Sequence, residues 1–315
     1  MTLPSPSRFP PLLKIGVFPD AVEARLRSTF ELVEQHELGI SPQRRGGIQG
    51  IVTRSNYRIP EDLLEQLPNL RIICTNGVGY DGIPLSYARK RGIVVANTPE
   101  VLNKAVAEFA VGLLLAILRH IPQADHFVRS GAWQAGAFPL GMSLAGKKIG
   151  MVGLGRIGKE IARRLAPFET DIAYFGRQRQ AVDWPYFNNL AALAAHSDIL
   201  VVCCPGGPAT FQIINAAVLN ALGPTGILVN IARGSVVHQA DLYEALASKT
   251  IAGAALDVFD EEPLADSPLA QLDNVILTPH IGSATHETRM AMAELAVKNL
   301  TEFFETGTAA TPVGE

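Results

Sequence analysis

The chain has 315 residues, 48% of them hydrophobic, and a formal net charge of -3. That length can bury a sizeable core and favours about two domains over one, and the hydrophobic fraction excludes a disordered chain. The small charge gives no electrostatic reason to expect a nucleic-acid partner.

The N-terminal MTLPSPSRFPPLLK is proline-rich and polar, without the apolar core of a secretory signal. Short β-branched runs then alternate with helical patterns: LLKIGVF (12–18), IVT (51–53), RIICT (71–75) and IVVA (93–96). Such alternation predicts parallel strands joined by crossover helices. Next comes VLNKAVAEFAVGLLLAILRHIPQADHFVRSG, one long helical stretch whose upper half is apolar on nearly every face. A helix of that kind needs cover on all sides, which places it between domains and against a second subunit, the alternative being burial within one domain. Its apolar run FAVGLLLAIL (109–118) ends at Arg119, well short of the about 20 residues that span a bilayer, so no membrane segment is expected.

A second series of strands follows: KKIGMVG (147–153), TDIAYF (170–175), SDILVVCC (197–204), GILVNI (226–231), AGAALDV (252–258) and NVILTP (274–279). The last helix, roughly Ser283 to Glu305, carries Met290, Leu295, Val297, Leu300 and Phe304 at helical spacing and is placed to cross back to the first domain. The fold class expected is therefore α/β, with two doubly wound parallel-sheet domains. Residues 1–100 and 286–315 form a substrate-binding, flavodoxin-like domain, and 101–285 an inserted dinucleotide-binding, Rossmann domain. Cys74, Cys203 and Cys204 offer neither a disulfide framework nor a metal-ligand spacing. They read as buried apolar residues of a reducing cytoplasm, Cys203 and Cys204 lying on a strand with their side chains on opposite faces.

GLGRIG (153–158) directly follows the strand KKIGMV and opens the helix KEIARRLAPF. In that setting Gly153 makes the tight turn, Gly155 admits a pyrophosphate to the backbone, and Gly158 allows close helix-to-strand packing. The amides of Arg156 and Ile157 face the anion with the helix dipole behind them. About 20 residues on, an acid would hold the ribose hydroxyls of NAD. Phe175 stands there instead, followed by Gly176, Arg177, Gln178 and Arg179. Guanidinium groups grip a 2′-phosphate that an acid would repel, which argues for NADP(H), with NAD(H) possible. The competing reading is that these arginines only solvate a loop tip.

Three polar side chains follow strands of the same domain: Arg233 in NIARGS, Glu262 in DVFDEEP and His280 in TPHIGSAT. Reacting groups of an open α/β sheet gather beyond the carboxyl ends of its strands. Arg233 would bind a substrate carboxylate and polarise an adjacent carbonyl. His280 would give or take the proton that accompanies a hydride, with Glu262 favouring the imidazolium. In the first domain the loop NGVGYDGI presents the amides of Val78 and Gly79 as an anion nest, or is a simple turn. Arg54, after IVT, either enters a substrate pocket or is solvated.

These blocks, with NTPEVLNKAVAEFAVGLLL, resemble the D-isomer-specific 2-hydroxyacid dehydrogenase family over nearly the whole chain. NIARGSVV and TPHIGS are far more discriminating than GLGRIG. The resemblance implies a subunit that is usually dimeric, through the 101–130 helix and the Trp133 region, with nicotinamide and a small 2-keto or 2-hydroxy acid in an interdomain cleft. It implies Arg233 for substrate, His280 as acid and base and Glu262 as its partner, with the backbone of Val78 and Gly79 cradling the carboxylate. Ile231, Ala232, Asp257, His280 and Gly282 fall near the nicotinamide, and CPGGPAT, with Cys204, Pro205 and Thr210, along the adenosine. FGRQR and CPGGPAT look most similar to NADPH-preferring glyoxylate/hydroxypyruvate and hydroxyphenylpyruvate reductases, and 2-ketogluconate reduction is an alternative. Trp133 matches a segment that reaches the neighbouring subunit's site in related reductases, or simply packs. Formate dehydrogenases resemble the fold but carry glutamine in place of Glu262. The C-terminal-binding-protein corepressors keep a similar triad but lack the NADP-type arginines.

Overall fold

A computed structural model describes residues 8–39 and 42–314, so the first half of the N-terminal stretch read above lies outside the described residues. The chain divides into two compact units, residues 1–102 with 284–315, and residues 103–283.

The first unit is built on five parallel strands: β1 (Leu12–Lys14), β2 (Leu32–Glu34), β3 (Gly50–Arg54), β4 (Ile72–Asn76) and β5 (Val94–Ala96), in the order β2-β1-β3-β4-β5. That is the flavodoxin-like order. Helices α1 (Asp20–Arg27), α2 (Pro42–Gly47), α3 (Glu61–Glu65) and α4 (Leu85–Lys90) connect them. Successive side chains on a strand point to opposite faces, so Leu12, Val52, Ile72 and Cys74 enter one buried cluster while Leu13, Ile51 and Ile73 enter another. The strand expected over 12–18 stops at Lys14, and Gly16 beyond it holds a φ of 94° with the Tyr57 ring where a side chain would be.

The second unit holds seven parallel strands: β6 (Lys148–Val152), β7 (Asp171–Phe175), β8 (Tyr186–Phe187), β9 (Ile199–Val202), β10 (Ile227–Asn230), β11 (Gly253–Leu256) and β12 (Val275–Leu277). Their order is β12-β11-β10-β9-β6-β7-β8, a Rossmann sheet with a seventh strand. Strands β6, β9 and β10 are buried along nearly their whole length, as both-face coverage by helices requires. Strand β9 ends at Val202, so Cys203 and Cys204 stand on the loop after it and not on the strand as expected.

The long helical stretch is two helices, α5 (Asn103–Leu118) and α6 (Ile121–Arg129), bent by 58° at His120, whose φ of 52° breaks the ladder. Within the single chain, helix α5 is not covered all round. Val106, Ala107, Ala110, Leu113, Leu114 and Ile117 are buried, while Glu108 and Gly112 are exposed. Among the described residues no single helix is long and apolar enough to cross a membrane. Helices α7 (Arg156–Leu165), α8 (Leu190–His196), α9 (Ala216–Leu222) and α10 (Gln239–Ala247) complete this unit.

The last helix, α11 (His286–Thr306), returns to the first unit, capped by the Thr285 hydroxyl on the Thr288 amide. Its buried stripe is Met292, Ala293, Ala296, Val297, Leu300 and Phe303. Met290 and Leu295, expected on that stripe, are only partly buried, because small alanines let the backbone approach the sheet and so take the inner face.

Candidate active site

The turn from β6 into α7 is shaped by three glycines with three different constraints. Gly153 has a φ of 98°, and a Cβ there would meet the Cys204 backbone at 2.8 Å. At Gly158 a Cβ would lie 2.5 Å from the Gly153 carbonyl oxygen, so the helix packs against its own approach strand. Gly155 differs: nothing lies within 4 Å of a Cβ there, and the space beside the backbone is open. No side chain caps α7 and no acid stands in its first turn, so the amides of Arg156, Ile157 and Gly158 face outward with the helix dipole behind them. Open room at Gly155 over uncapped amides fits a dinucleotide pyrophosphate.

Strand β7 ends at Phe175, and Gly176, Arg177, Gln178 and Arg179 form the loop after it. Arg177 and Arg179 are exposed, and neither guanidinium has a hydrogen-bond or ion-pair partner among the described residues. The phosphate turn is tied to this loop's base by the Gly153 amide on the Phe175 carbonyl at 2.9 Å. In Cys204–Thr210, the Thr210 hydroxyl closes a tight turn on the Pro205 carbonyl at 2.6 Å. Burial pushes the Cys204 thiol up to about 11 and Cys203 higher still, so both stay protonated and unreactive at neutral pH.

The remaining site residues lie beyond β10, β11 and β12, three neighbours in the sheet. After β10 the side chain of Asn230 folds the next turn, its carboxamide oxygen accepting from the Ala232 amide and its nitrogen donating to the Arg233 carbonyl, both at 3.0 Å. Gly234 follows, and a Cβ on it would sit 1.9 Å from the Phe259 backbone. Only glycine allows that contact, which lays the Arg233 turn directly against the segment leading to Glu262. Asn230 and Gly234 were not singled out from the sequence, although both stand inside NIARGS.

Asp257, just past β11, is 2% exposed and accepts from the Thr278 hydroxyl and from the amides of Ile281 and Gly282 at 2.7–2.8 Å. Burial raises its pKa against the pull of those donors. Three of its acceptor positions are thus spent on shaping the His280 loop. His280 itself has a φ of 54°. Its Nδ1 meets Glu262 Oε2 at 2.7 Å, while Glu262 Oε1 accepts from the Phe259 amide at 3.2 Å. Burial pushes the Glu262 carboxyl up, but the His280 bond and charge, the Phe259 amide and the Arg233 charge outweigh it, leaving it below the usual 4.5. Arg233, Glu262 and His280, spread over 48 positions of sequence, therefore act on one another in space.

In the first unit Val78 and Gly79 lie just past β4. The Asn97 carboxamide holds the Val78 carbonyl at 2.8 Å, and the Val78 and Gly79 amides have no hydrogen-bond partner among the described residues. Beside them Asn76 Oδ1 and Thr98 Oγ1 are buried without hydrogen-bond partners among the described residues. Arg54, at the end of the central strand β3, donates to the Val17 carbonyl at 2.7 Å. Trp133 is 66% exposed and is not a packing residue within the subunit.

A Rossmann sheet with a phosphate turn, and a histidine-carboxylate pair with an arginine beside it, define a nicotinamide-dinucleotide oxidoreductase. The chain belongs to the D-isomer-specific 2-hydroxyacid dehydrogenase family, whose NAD-binding domain matches residues 111–282. It is 44% identical over 267 residues to a hydroxyphenylpyruvate reductase of Plectranthus scutellarioides, covering 84% of this chain and 85% of that protein. It is 42% identical over 305 residues to a 2-ketogluconate reductase of Gluconobacter oxydans, covering 96% and 98%. Among solved structures, an NADPH-dependent glyoxylate/hydroxypyruvate reductase from Sinorhizobium meliloti, in complex with NADP and malonate, superposes with a TM-score of 0.92. It shares 44% identity and 97% coverage of both chains.

Proposed function

We propose that the protein reduces a small 2-keto acid of the glyoxylate or hydroxypyruvate type to the D-2-hydroxy acid, with NADP(H) preferred over NAD(H). The observation that carries this reading is the 2.7 Å bond between His280 Nδ1 and Glu262 Oε2, with Arg233 acting on the same carboxylate. The names of the relatives support the substrate class, and the unpartnered Arg177 and Arg179 support the cofactor.

A dinucleotide held by the β6–α7 turn and the Gly176–Gln180 loop would supply the hydride for the keto carbon. His280 supplies the proton: Nδ1 is committed to Glu262, so the transferable proton sits on Nε2 and goes to the keto oxygen. Glu262, held below the usual carboxylate range, stays ionised at neutral pH and keeps the ring in one orientation. Arg233 offers a two-pronged grip to the substrate carboxylate and polarises the neighbouring carbonyl. The free amides of Val78 and Gly79 suit a carboxylate as well.

The test is to mix the protein with NADPH and, in turn, glyoxylate, hydroxypyruvate, 4-hydroxyphenylpyruvate and 2-ketogluconate, following the near-ultraviolet absorbance of the reduced cofactor. The proposal requires kcat/KM to be highest for one of the first two and higher with NADPH than with NADH. No turnover with any of the four would overturn it.

We further infer a homodimer assembled through the 101–130 helices and the Trp133 region. The exposure of Ile121, Val128, Trp133 and Leu140, at 52%, 54%, 66% and 95%, supports this reading, since their burial between two subunits would remove large apolar side chains from water. The three free cysteines suit a reducing compartment, in keeping with a cytoplasmic location.

A further inference from the structure

The five residues that present Arg177 and Arg179 are fastened at both ends by phenol hydroxyls. At the start, Tyr186 Oη donates to the Gly176 carbonyl at 3.1 Å. At the end, Tyr174 Oη accepts the Gln180 amide at 2.7 Å and faces the Gln180 carbonyl at 3.4 Å. A third tie comes from α7, where Lys159 Nζ reaches Gln180 Oε1 at 3.4 Å. Both tyrosines reach the loop from the sheet. Tyr174 lies on β7 and is fully buried, Tyr186 lies on β8 and is half-buried, and the two are register partners with ring centroids 5.3 Å apart. Strand β8 has two residues and, among the described residues, pairs only with β7, so it adds little to the sheet, but it sets the Tyr186 hydroxyl against the Gly176 carbonyl.

We infer that Tyr174 and Tyr186 are positioning residues for cofactor choice, their hydroxyls holding Gly176–Gln180 in the shape in which Arg177 and Arg179 meet an anionic group on the adenosine ribose. The inference rests on the NADP(H) reading above. Two long cationic side chains on a loose loop would have to be ordered by the ligand, backbone included, and that entropy would be subtracted from affinity. A loop already pinned at Gly176 and Gln180 leaves only the side chains to settle. The unmodified ribose of NAD(H) makes no use of the two arginines, so the brace acts on one cofactor and not on the other.

Tyr174→Phe and Tyr186→Phe remove each hydroxyl and keep each ring. NADPH and NADH dissociation constants are measured by fluorescence titration for the wild type, these two variants, Tyr186→Leu, Arg177→Ala and Arg179→Ala. Loss of one such hydrogen bond corresponds to a roughly threefold to tenfold change in affinity, so the ratio of NADPH to NADH affinity falls by that factor in each phenylalanine variant. Tyr186→Leu, which also deletes the ring, changes the ratio no further, because the hydroxyl is the positioning group. Should Tyr174→Phe prove too unstable to titrate, the half-buried Tyr186→Phe carries the test alone. An unchanged ratio in Tyr186→Phe, with the preference abolished in Arg177→Ala, overturns the brace and leaves the arginine reading standing. An unchanged ratio in both Arg177→Ala and Arg179→Ala overturns the arginine reading and the brace with it.

Discussion

Two alanine substitutions in the same turn, Gly155→Ala and Gly158→Ala, separate the phosphate site from the packing that supports it. At Gly158 the added methyl lies 2.5 Å from the Gly153 carbonyl oxygen and 3.1 Å from Cys203 Sγ. An ordinary carbon-to-oxygen contact needs about 3.3 Å, so α7 has to retreat by about 0.8 Å, and the obstacle is backbone that no rotamer change removes. Overpacking of that kind costs about 1–3 kcal/mol. For a unit of this size each kcal/mol lowers Tm by about 2–4 °C, so Gly158→Ala melts roughly 2–12 °C earlier. At Gly155 the methyl meets nothing within 4 Å and the φ of -76° suits any residue. Alanine is a poorer helix N-cap than glycine, which costs no more than about 1 kcal/mol. The methyl does occupy the space beside the amides of Arg156 and Ile157, where a pyrophosphate would come against the backbone. Gly155→Ala therefore weakens NADPH and NADH together by at least about tenfold, the loss of one charge-assisted hydrogen bond or more. Thermal melting followed by circular dichroism reads the first effect and cofactor fluorescence titration the second. Wild-type cofactor affinity in Gly155→Ala would refute the assignment of the turn, and an unchanged Tm in Gly158→Ala would refute the packing argument.

His280→Ala lowers kcat by about two orders of magnitude or more with a small effect on KM, whereas Arg233→Ala raises KM and lowers kcat together; steady-state kinetics on hydroxypyruvate checks both. Glu262 has a folded pKa below its usual 4.5, so its contribution to stability is fully present above that value and is lost as pH falls through the lower, folded one. Tm measured from pH 6 down to pH 3 consequently falls less steeply in Glu262→Gln than in the wild type, and equal slopes would contradict the ion pair. On the dimer proposed above, replacing the exposed Trp133 and Leu140 by aspartate shifts the sedimentation coefficient from the dimer value to the monomer value, and a wild type that sediments as a monomer refutes that proposal.

The open α/β character and most strand positions were legible in the sequence because parallel strands covered on both faces need continuous apolar runs, and ILVV, ILVN and KIGMV are such runs. GLGRIG was legible because Gly153 and Gly158 meet constraints that only the absence of a side chain satisfies, while Gly155 leaves open room beside the backbone. Strands β2 and β8 escaped the reading: two or three residues give no periodicity, and their partners across the sheet supply the reason they are extended. The bend at His120 and the alanine stripe of α11 were equally invisible, since one is a backbone choice at a single residue and the other is decided by how closely a helix may approach a sheet.

Residue types alone nominated Arg233, Glu262 and His280, because an acid-base pair and a carboxylate clamp can be recognised as chemistry wherever they stand. Their mutual arrangement belonged to the tertiary structure. It took the order β10, β11, β12 to make their loops neighbours, Gly234 to let two backbones touch, and Asp257 to gather the Thr278 hydroxyl and two amides around His280. Hydrogen bonds and close packing act over a few ångströms, and a linear order of residues specifies such distances only once the chain has folded.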